Sequence, residues 1–387
     1  MGARYLVVGC GFSGAVLSNQ LAMNLDCEVE IWEERNHIGG NCYTKRDTET
    51  GIMVHEYGPH IFNTDRKDIW DYVNGFARLC PYVHRIKARS GDAIYSLPVN
   101  LHTINQFFNK AFSPAEAKQF LQELSDHSIV NPKNFEEQAL SFIGKELYEA
   151  FFYGYTKKQW GCEPKELPAS ILKRIPVRFS YDDNYHPSQS YTGIPPDGYT
   201  DLIEKIATHP AIKITLEKKF NPTDDLSDFD HVFYTGPLDA YFNYSLGRLG
   251  YRTVSFEKSV MEGDFQGVAQ VNYCDVEVPF TRITEHKHFT PWETHEQTVY
   301  FKEYSRETGV DDQPFYPKRL EKDKQLLRRY RLEAETLQKI SFLGRLATYR
   351  YMDMHHVIGE ALDFANLFIQ AKRNNSVAPV FSNVETV

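Results

Sequence analysis

A chain of 387 residues exceeds one ordinary hydrophobic core, so two or three packed lobes are expected. With 42% hydrophobic and 14% aromatic residues it is neither disordered nor fibrous, and a net charge of −9 argues against general affinity for nucleic acid or anionic membranes. An anionic ligand must be met by locally placed arginines instead.

Tyr5-Leu-Val-Val8 is a short apolar run that reads as a buried strand. Gly9, Gly11 and Gly14 follow in G-x-G-x-x-G register, and an amphipathic helical pattern begins at once. Gly9 permits a tight turn, Gly11 a close backbone approach to a pyrophosphate, and Gly14 a close packing of helix on strand; the helix N-terminus adds free N–H groups. Cys27-Glu-Val-Glu-Ile-Trp-Glu33 reads as a second strand, ending where a dinucleotide fold holds an acid against the adenosine ribose. Arg35-Asn-His-Ile-Gly-Gly-Asn41 adds a paired glycine that, by the pattern of known flavoproteins, suits a flavin dinucleotide.

Residues 51–65 contain a short strand and a Gly58-Pro59 turn, and 82–99 read as strands around Ser90-Gly-Asp92. Between Asn105 and Lys173 the pattern is helical, with a start at Ser113-Pro114-Ala-Glu116 and an apolar stripe from Phe135 to Phe152. Arg174 to Thr200 is loop-rich. Tyr199–Ala207 reads as a helix, Ile212–Leu216 as a strand, and Asp230–Pro237 as a strand running into a glycine turn. Alternation over 250–304 predicts an antiparallel sheet with one wet face. A charged helix over 320–337, a strand at Ile340 and a closing helix from Met354 complete the chain.

The expected class is therefore α/β, mixed α+β overall: a discontinuous Rossmann-like dinucleotide domain (1–80, 201–240 and 315–387), an inserted helical lobe (101–173) and a sheet domain (81–100, 174–200 and 241–314). The six cysteines form no C-x-x-C pair and are read as reduced packing thiols. No leader and no membrane span is read in the chain, so a soluble, cytoplasmic protein without membrane insertion is expected. His286/His288 and His355/His356 are close pairs without an acidic or cysteine partner at metal-ligand spacing, so no metal site is expected.

No G-x-S-x-G motif and no cysteine–histidine constellation signals a protein nucleophile. No second G-x-G-x-x-G appears, so a reductant would visit from outside rather than occupy its own domain. The run Phe151-Phe-Tyr-Gly-Tyr-Thr-Lys-Lys-Gln-Trp-Gly161, with Arg174 and Arg178 beyond it, offers aromatic faces for a uracil or sugar and forked donors for a diphosphate. By composition alone a helix end with core aromatics is the favoured reading.

That run closely resembles the bacterial UDP-galactopyranose mutase family. So do the glycine turn, Arg35–Asn41, Tyr57-Gly-Pro-His-Ile-Phe62, Leu167-Pro-Ala-Ser-Ile-Leu-Lys-Arg174, Tyr234-Thr-Gly-Pro237, Pro279-Phe-Thr-Arg-Ile-Thr-Glu-His-Lys287 and Arg345–Asp353. The resemblance spans essentially the whole chain. It implies an FAD domain, a helical bundle and a six-stranded antiparallel sheet, with the substrate cleft between them. It implies that Arg174 and Arg282 clamp the diphosphate of UDP-galactose and that Trp160 rides on a lid. Phe151, Phe152, Tyr155, Thr156, Tyr185 and Asn272 are then expected on the uridine side, and Tyr316 and Tyr351 at the diphosphate and sugar. Gly9, Gly11, Ser13, Gly14, Glu33, Glu34, Gly40, Asn41, His60, Ile61, Gly344, Arg345, Asp353 and Met354 are expected to hold FAD, with His60 also counted as catalytic. His84 stands where the family commonly has Asn, a sugar-side contact. The implied reaction converts the pyranose and furanose forms of UDP-galactose, reduced FAD N5 attacking the anomeric carbon with no net redox, for bacterial cell-surface glycans. An external NAD(P)H or other reductant and a homodimer are also implied. An amine-oxidase-type flavin oxidoreductase and a non-catalytic flavin-binding protein share the glycine turn and are the alternatives.

Overall fold

The computed structural model describes residues 2–169, 171, 177–186 and 190–382. Its first sheet is parallel and five-stranded, in the spatial order Ile212–Thr215, Cys27–Trp32, Ala3–Val8, His231–Tyr234 and Ile340–Phe342. The chain thus returns twice, from the middle and from the C-terminal part, to extend the strand pair with which it began. The central strand explains why: Tyr5 and Val7 belong to one apolar cluster, Leu6 and Val8 to another on the opposite face. A strand buried on both sides reads as a continuous apolar run, as this one does.

The helix after the glycine turn, Phe12–Asn24, departs from expectation. It is not amphipathic: Phe12 to Asn19, Leu21 and Ala22 are all buried. It packs against the closing helix Met354–Arg373 and against Gly198–Ala207, so it has almost no wet face. The small side chains of Gly14, Ala15, Ser18 and Ala22 permit that close packing.

The second sheet has seven strands rather than six and is mixed rather than purely antiparallel. Its order is Tyr316–Pro317, Tyr251–Glu262, Gln297–Glu307, Arg282–Glu285, Gln270–Tyr273, Ile86–Ser90 and Ala93–Leu97. The two-residue edge strand Tyr316–Pro317 is added against Tyr251 and Arg252. The parallel junction arises where the 86–97 hairpin joins Gln270–Tyr273 running in the same direction. Neither feature leaves a local trace, because both depend on pairing between distant segments.

The helical lobe contains Leu101–Phe107, Pro114–Leu124, Phe135–Tyr148 and Gly154–Trp160. The expected helix start at Ser113 is present, and Ser113 and Glu116 form a capping box there, each side chain bonded to the other's backbone N–H. The stripe from Phe135 to Phe152 is not one regular helix. It kinks at Gly144 (φ +77°), where a Cβ would press on Leu124 O, and loosens to a π-turn over Glu149–Tyr153. All six cysteines are free. Among the described residues no helix is long and apolar enough to cross a membrane.

Candidate active site

A cleft of about 840 Å³ opens at the glycine turn and runs between the parallel sheet, the helical lobe and the second sheet. At its mouth Gly9 has φ +99° and its N–H bonds Trp32 O at 2.8 Å, which swings the chain into the Phe12–Asn24 helix. A Cβ on Gly14 would lie 2.0 Å from Gly9 O, so the helix can sit this close only because residue 14 is glycine. Gly14→Ala is expected to cost about 2 kcal/mol of stability by overpacking, and to yield protein that loses its dinucleotide on gel filtration. A melting curve and the absorbance of the eluted protein check this.

Glu33 is only 5% exposed, and its carboxylate accepts the N–H groups of Cys10 (2.8 Å) and Arg35 (3.0 Å). It braces the glycine turn while keeping further lone pairs for a ribose. Gly40 packs on Gly11, Asn41 accepts from Arg35 at 2.9 Å, and Ser13 and Glu34 also line the cleft. Gly14 and Gly344 do not line it: Gly344 packs on Ser13, where a Cβ would be 2.3 Å from Oγ. Their roles are packing, not contact.

Arg345 points to a buried anion. Its guanidinium lies beside the stacked rings of Tyr316 and Tyr351, 5.0 and 4.9 Å from their centres, and its buried Nε and Nη2 have no partner among the described residues. A guanidinium held so, in a cleft that starts at a glycine turn and passes the N-terminus of Met354–Arg373, fits a dinucleotide pyrophosphate. Asp353, Met354 and Ile61 line the same stretch.

Deeper in, one row of the second sheet sets the polar floor. Asn272, Arg282 and Glu303 are directly opposite one another on three adjacent strands, so their side chains emerge on one face. Arg282 Nε donates to Glu303 Oε2 at 2.7 Å, and Asn272 Oδ1 accepts from Gln270 at 2.8 Å. Burial disfavours the guanidinium charge of Arg282, but the carboxylate of Glu303 more than offsets this and keeps it charged. Tyr155, Tyr185 and Tyr316 surround it, and burial raises all three hydroxyl pKa values, that of Tyr316 to about 12, so each stays a donor at neutral pH. Phe151, Phe152 and Trp160 complete the aromatic wall, and Thr156 lines the cleft with them. Phe151 also packs edge-on against Tyr95 at 5.1 Å, so it serves the core of the helical lobe as well.

His60 lines the cleft with its protonation fixed. Its Nδ1 lies 2.8 Å from Gly58 O and so carries the proton, which leaves Nε2 as acceptor. Burial, with Arg345 and Arg282 nearby, lowers its pKa to about 4. His84 is 3% exposed, with its pKa lowered to about 3 by burial and by His186 and Arg282. Its ring lies among Tyr82, Tyr185, His186 and Phe289, and its buried Nδ1 has no partner among the described residues.

The cleft thus collects nearly every site residue expected from the sequence. Arg174 lies outside the described residues. Arg35, Cys42, His186 and Gln270 line the cleft without having been expected. Arg35 sits inside a motif that had been noticed, whereas Gln270 gives no signal apart from its strand partner Thr284. The expectation that the histidine pairs lack acidic neighbours is corrected. Asp353 lies with His355 and His356, and Asp264 and Glu285 with His288. Chain reversal supplies Asp264, which spacing alone could not place. Glu285 is already bonded to the N–H groups of Phe265, Gln266 and Gly267 and to Thr298, so that cluster secures a turn.

Comparison with known proteins gives concordant findings. Residues 150–351 match the family model for UDP-galactopyranose mutase, and residues 7–76 that for an NAD(P)-binding Rossmann-like domain. The chain is 55% identical over 377 residues to a "Probable UDP-galactopyranose mutase" of Klebsiella pneumoniae, covering 97% of each. It is 50% identical over 373 residues to a dTDP-fucopyranose mutase of Escherichia coli, covering 95% of this chain and 98% of that one. The fold is similar to a crystal structure of reduced UDP-galactopyranose mutase, with a TM-score of 0.72 at 13% identity over 98% of this chain and 99% of that one.

Proposed function

Because the chain belongs to the UDP-galactopyranose mutase family, we propose that it interconverts UDP-galactopyranose and UDP-galactofuranose on bound FAD. Reduced by NAD(P)H or another external donor, FAD supplies N5 as nucleophile toward the anomeric carbon, with no net redox. The protein's share is binding and orientation. Arg345 and the glycine turn hold the cofactor, and Glu33 its ribose. Arg282, with Arg174 as second cation, neutralises the diphosphate, and the tyrosines donate to phosphate and sugar oxygens. Trp160, Phe151, Phe152 and Thr156 form the uridine side, with Asn272 beside Arg282. His60, neutral, accepts at Nε2 and stands ready to orient a sugar or flavin group without adding charge.

The observation that carries this reading is the pair of half-buried cations in one cleft: Arg282, charged and fixed by Glu303, and Arg345, with two buried nitrogens that have no partner among the described residues. One suits the substrate diphosphate and the other the cofactor. A flavin oxidase acting on an amine would share Arg345 for its cofactor but gives Arg282 no reason to be arginine. The same proposal includes a cytoplasmic homodimer that supplies galactofuranose to cell-surface glycans.

A chromatographic assay with and without dithionite tests it. UDP-galactofuranose should form from UDP-galactopyranose only after reduction; full conversion with oxidised flavin, or hydrogen peroxide release in place of isomerisation, overturns it. A second substrate, dTDP-fucopyranose, belongs in the same assay. Its support is the relative of that name. Relative kcat/KM values on the two sugars rank these readings.

A further inference from the structure

Arg252 is 3% exposed, lies outside the cleft lining, and belongs to the long strand Tyr251–Glu262. Its guanidinium meets the C-terminal end of the Gly154–Trp160 helix, which brings Tyr155, Thr156 and Trp160 to the cleft. Nε donates to Gln159 O at 3.0 Å and to Ser305 Oγ at 3.2 Å, Nη2 to Lys158 O at 3.2 Å, and Nη1 to Glu307 Oε1 at 2.9 Å. Ser305 Oγ donates to Gln159 O as well, at 2.7 Å. Gly161 takes the left-handed conformation (φ +65°) and returns its N–H to Lys157 O at 2.8 Å. Three successive carbonyls that a helix end leaves without partners are thereby satisfied, and a cation sits at the negative end of the helix.

The contact admits nothing between its members, since a Cβ on Gly161 would lie 2.2 Å from Arg252 Nη1. On its backbone side Arg252 pairs with Tyr316, and its carbonyl accepts the Phe315 N–H at 2.9 Å. On the far side of the helix, Lys158 Nζ donates to the carbonyls of Tyr273, Asp275 and Phe280, in the turn between the strands of Asn272 and Arg282. One arginine therefore ties the helix of Trp160, the strand of Tyr316 and the sheet of Arg282 together. Lysine cannot reproduce this, because the fork serves two successive carbonyls and a carboxylate at once.

We propose that Arg252 is a positioning residue for substrate binding: by capping the helix that ends at Trp160 while pairing with Tyr316, it sets the width of the cleft between the aromatic wall and Arg282. This rests on the reading of the cleft as a UDP-sugar site. Arg252→Met, which keeps the aliphatic stem and removes every donor, is expected to raise KM for UDP-galactopyranose and the Kd for UDP roughly ten- to a hundredfold. Its kcat should change by less than about threefold and its flavin content not at all. Arg252→Lys should recover part of the loss in KM. Gly161→Ala, which leaves the arginine in place but displaces it from the helix end, should show the same KM-weighted defect and decides the matter if Arg252→Met does not fold. Variants with the parent's KM and UDP affinity, differing only in melting temperature or kcat, overturn the inference alone. A parent protein that does not bind UDP in a calorimetric titration overturns the substrate reading and the inference with it.

Discussion

Arg282→Ala is expected to reduce kcat/KM for UDP-galactopyranose by a factor of about 10³, because two charge-assisted bonds to the diphosphate, each about 2 kcal/mol, are lost together. The same change should destabilise the fold by about 3–5 kcal/mol, because it leaves the buried carboxylate of Glu303 without its cation. Glu303 is 1% exposed and has no water to turn to. The two effects separate in a double variant: Arg282→Ala with Glu303→Gln removes the stranded charge and should restore most of the melting temperature, yet turnover should stay low. If the double variant regains turnover with stability, Arg282 is a structural cation only. A single variant that keeps more than a tenth of parent activity contradicts its place at the diphosphate.

What could be read from the sequence was what is local. The strand-turn-helix at Tyr5–Asn24 announces itself because each residue type answers a demand made within a few positions, from the both-faces burial of Tyr5 to Val8 to the glycine at 14. The strands over 250–304 are visible as alternation, but alternation does not say who pairs with whom. The parallel join of Ile86–Ser90 to Gln270–Tyr273 was invisible for that reason, as was the seventh strand at Tyr316. The kink at Gly144 looked like an ordinary residue of a helical stripe, because only the neighbouring Leu124 carbonyl explains it.

The site divides in the same way. Arg282, Arg345 and the aromatic run lie in dense motifs and were named by resemblance. Glu303, the partner that keeps Arg282 charged, is a polar residue in an alternating strand like many others. Arg252 acquires its meaning only when a helix end from the other lobe arrives against it. Residues that touch a ligand cluster in motifs. Residues that hold those motifs at the right distance are dispersed.

Acid sensitivity is the second large effect expected. His84, His231 and His286 are 3%, 5% and 0% exposed, and burial lowers each pKa to about 3, helped by His186 and Arg282 at His84, by Lys372 and Lys339 at His231, and by Lys258 at His286. An unfolded histidine titrates near 6.5. Between that value and about 3 the unfolded chain binds protons that the native one refuses, so the contribution is complete above pH 6.5 and is lost as pH falls. Each histidine costs about 1.4 kcal/mol per pH unit, and the three together about 4. Glu285 stays out of this window: held down to about 2 by its hydrogen bonds despite burial, it acts only below the ordinary carboxylate range. By pH 5 the loss reaches about 6 kcal/mol, comparable to the whole stability of many domains. Burial lowers His55, His60 and His186 as well, so urea unfolding at pH 7, 6 and 5 should show uptake of at least three protons, and a flat midpoint across that range refutes it. His231→Gln, placed to keep the bond that His231 Nε2 makes with Ser341 Oγ at 2.8 Å, removes one titrating group far from the cleft. Its pH slope should fall by about one proton while turnover at neutral pH is unchanged, which ties the acid lability to buried imidazoles rather than to loss of cofactor.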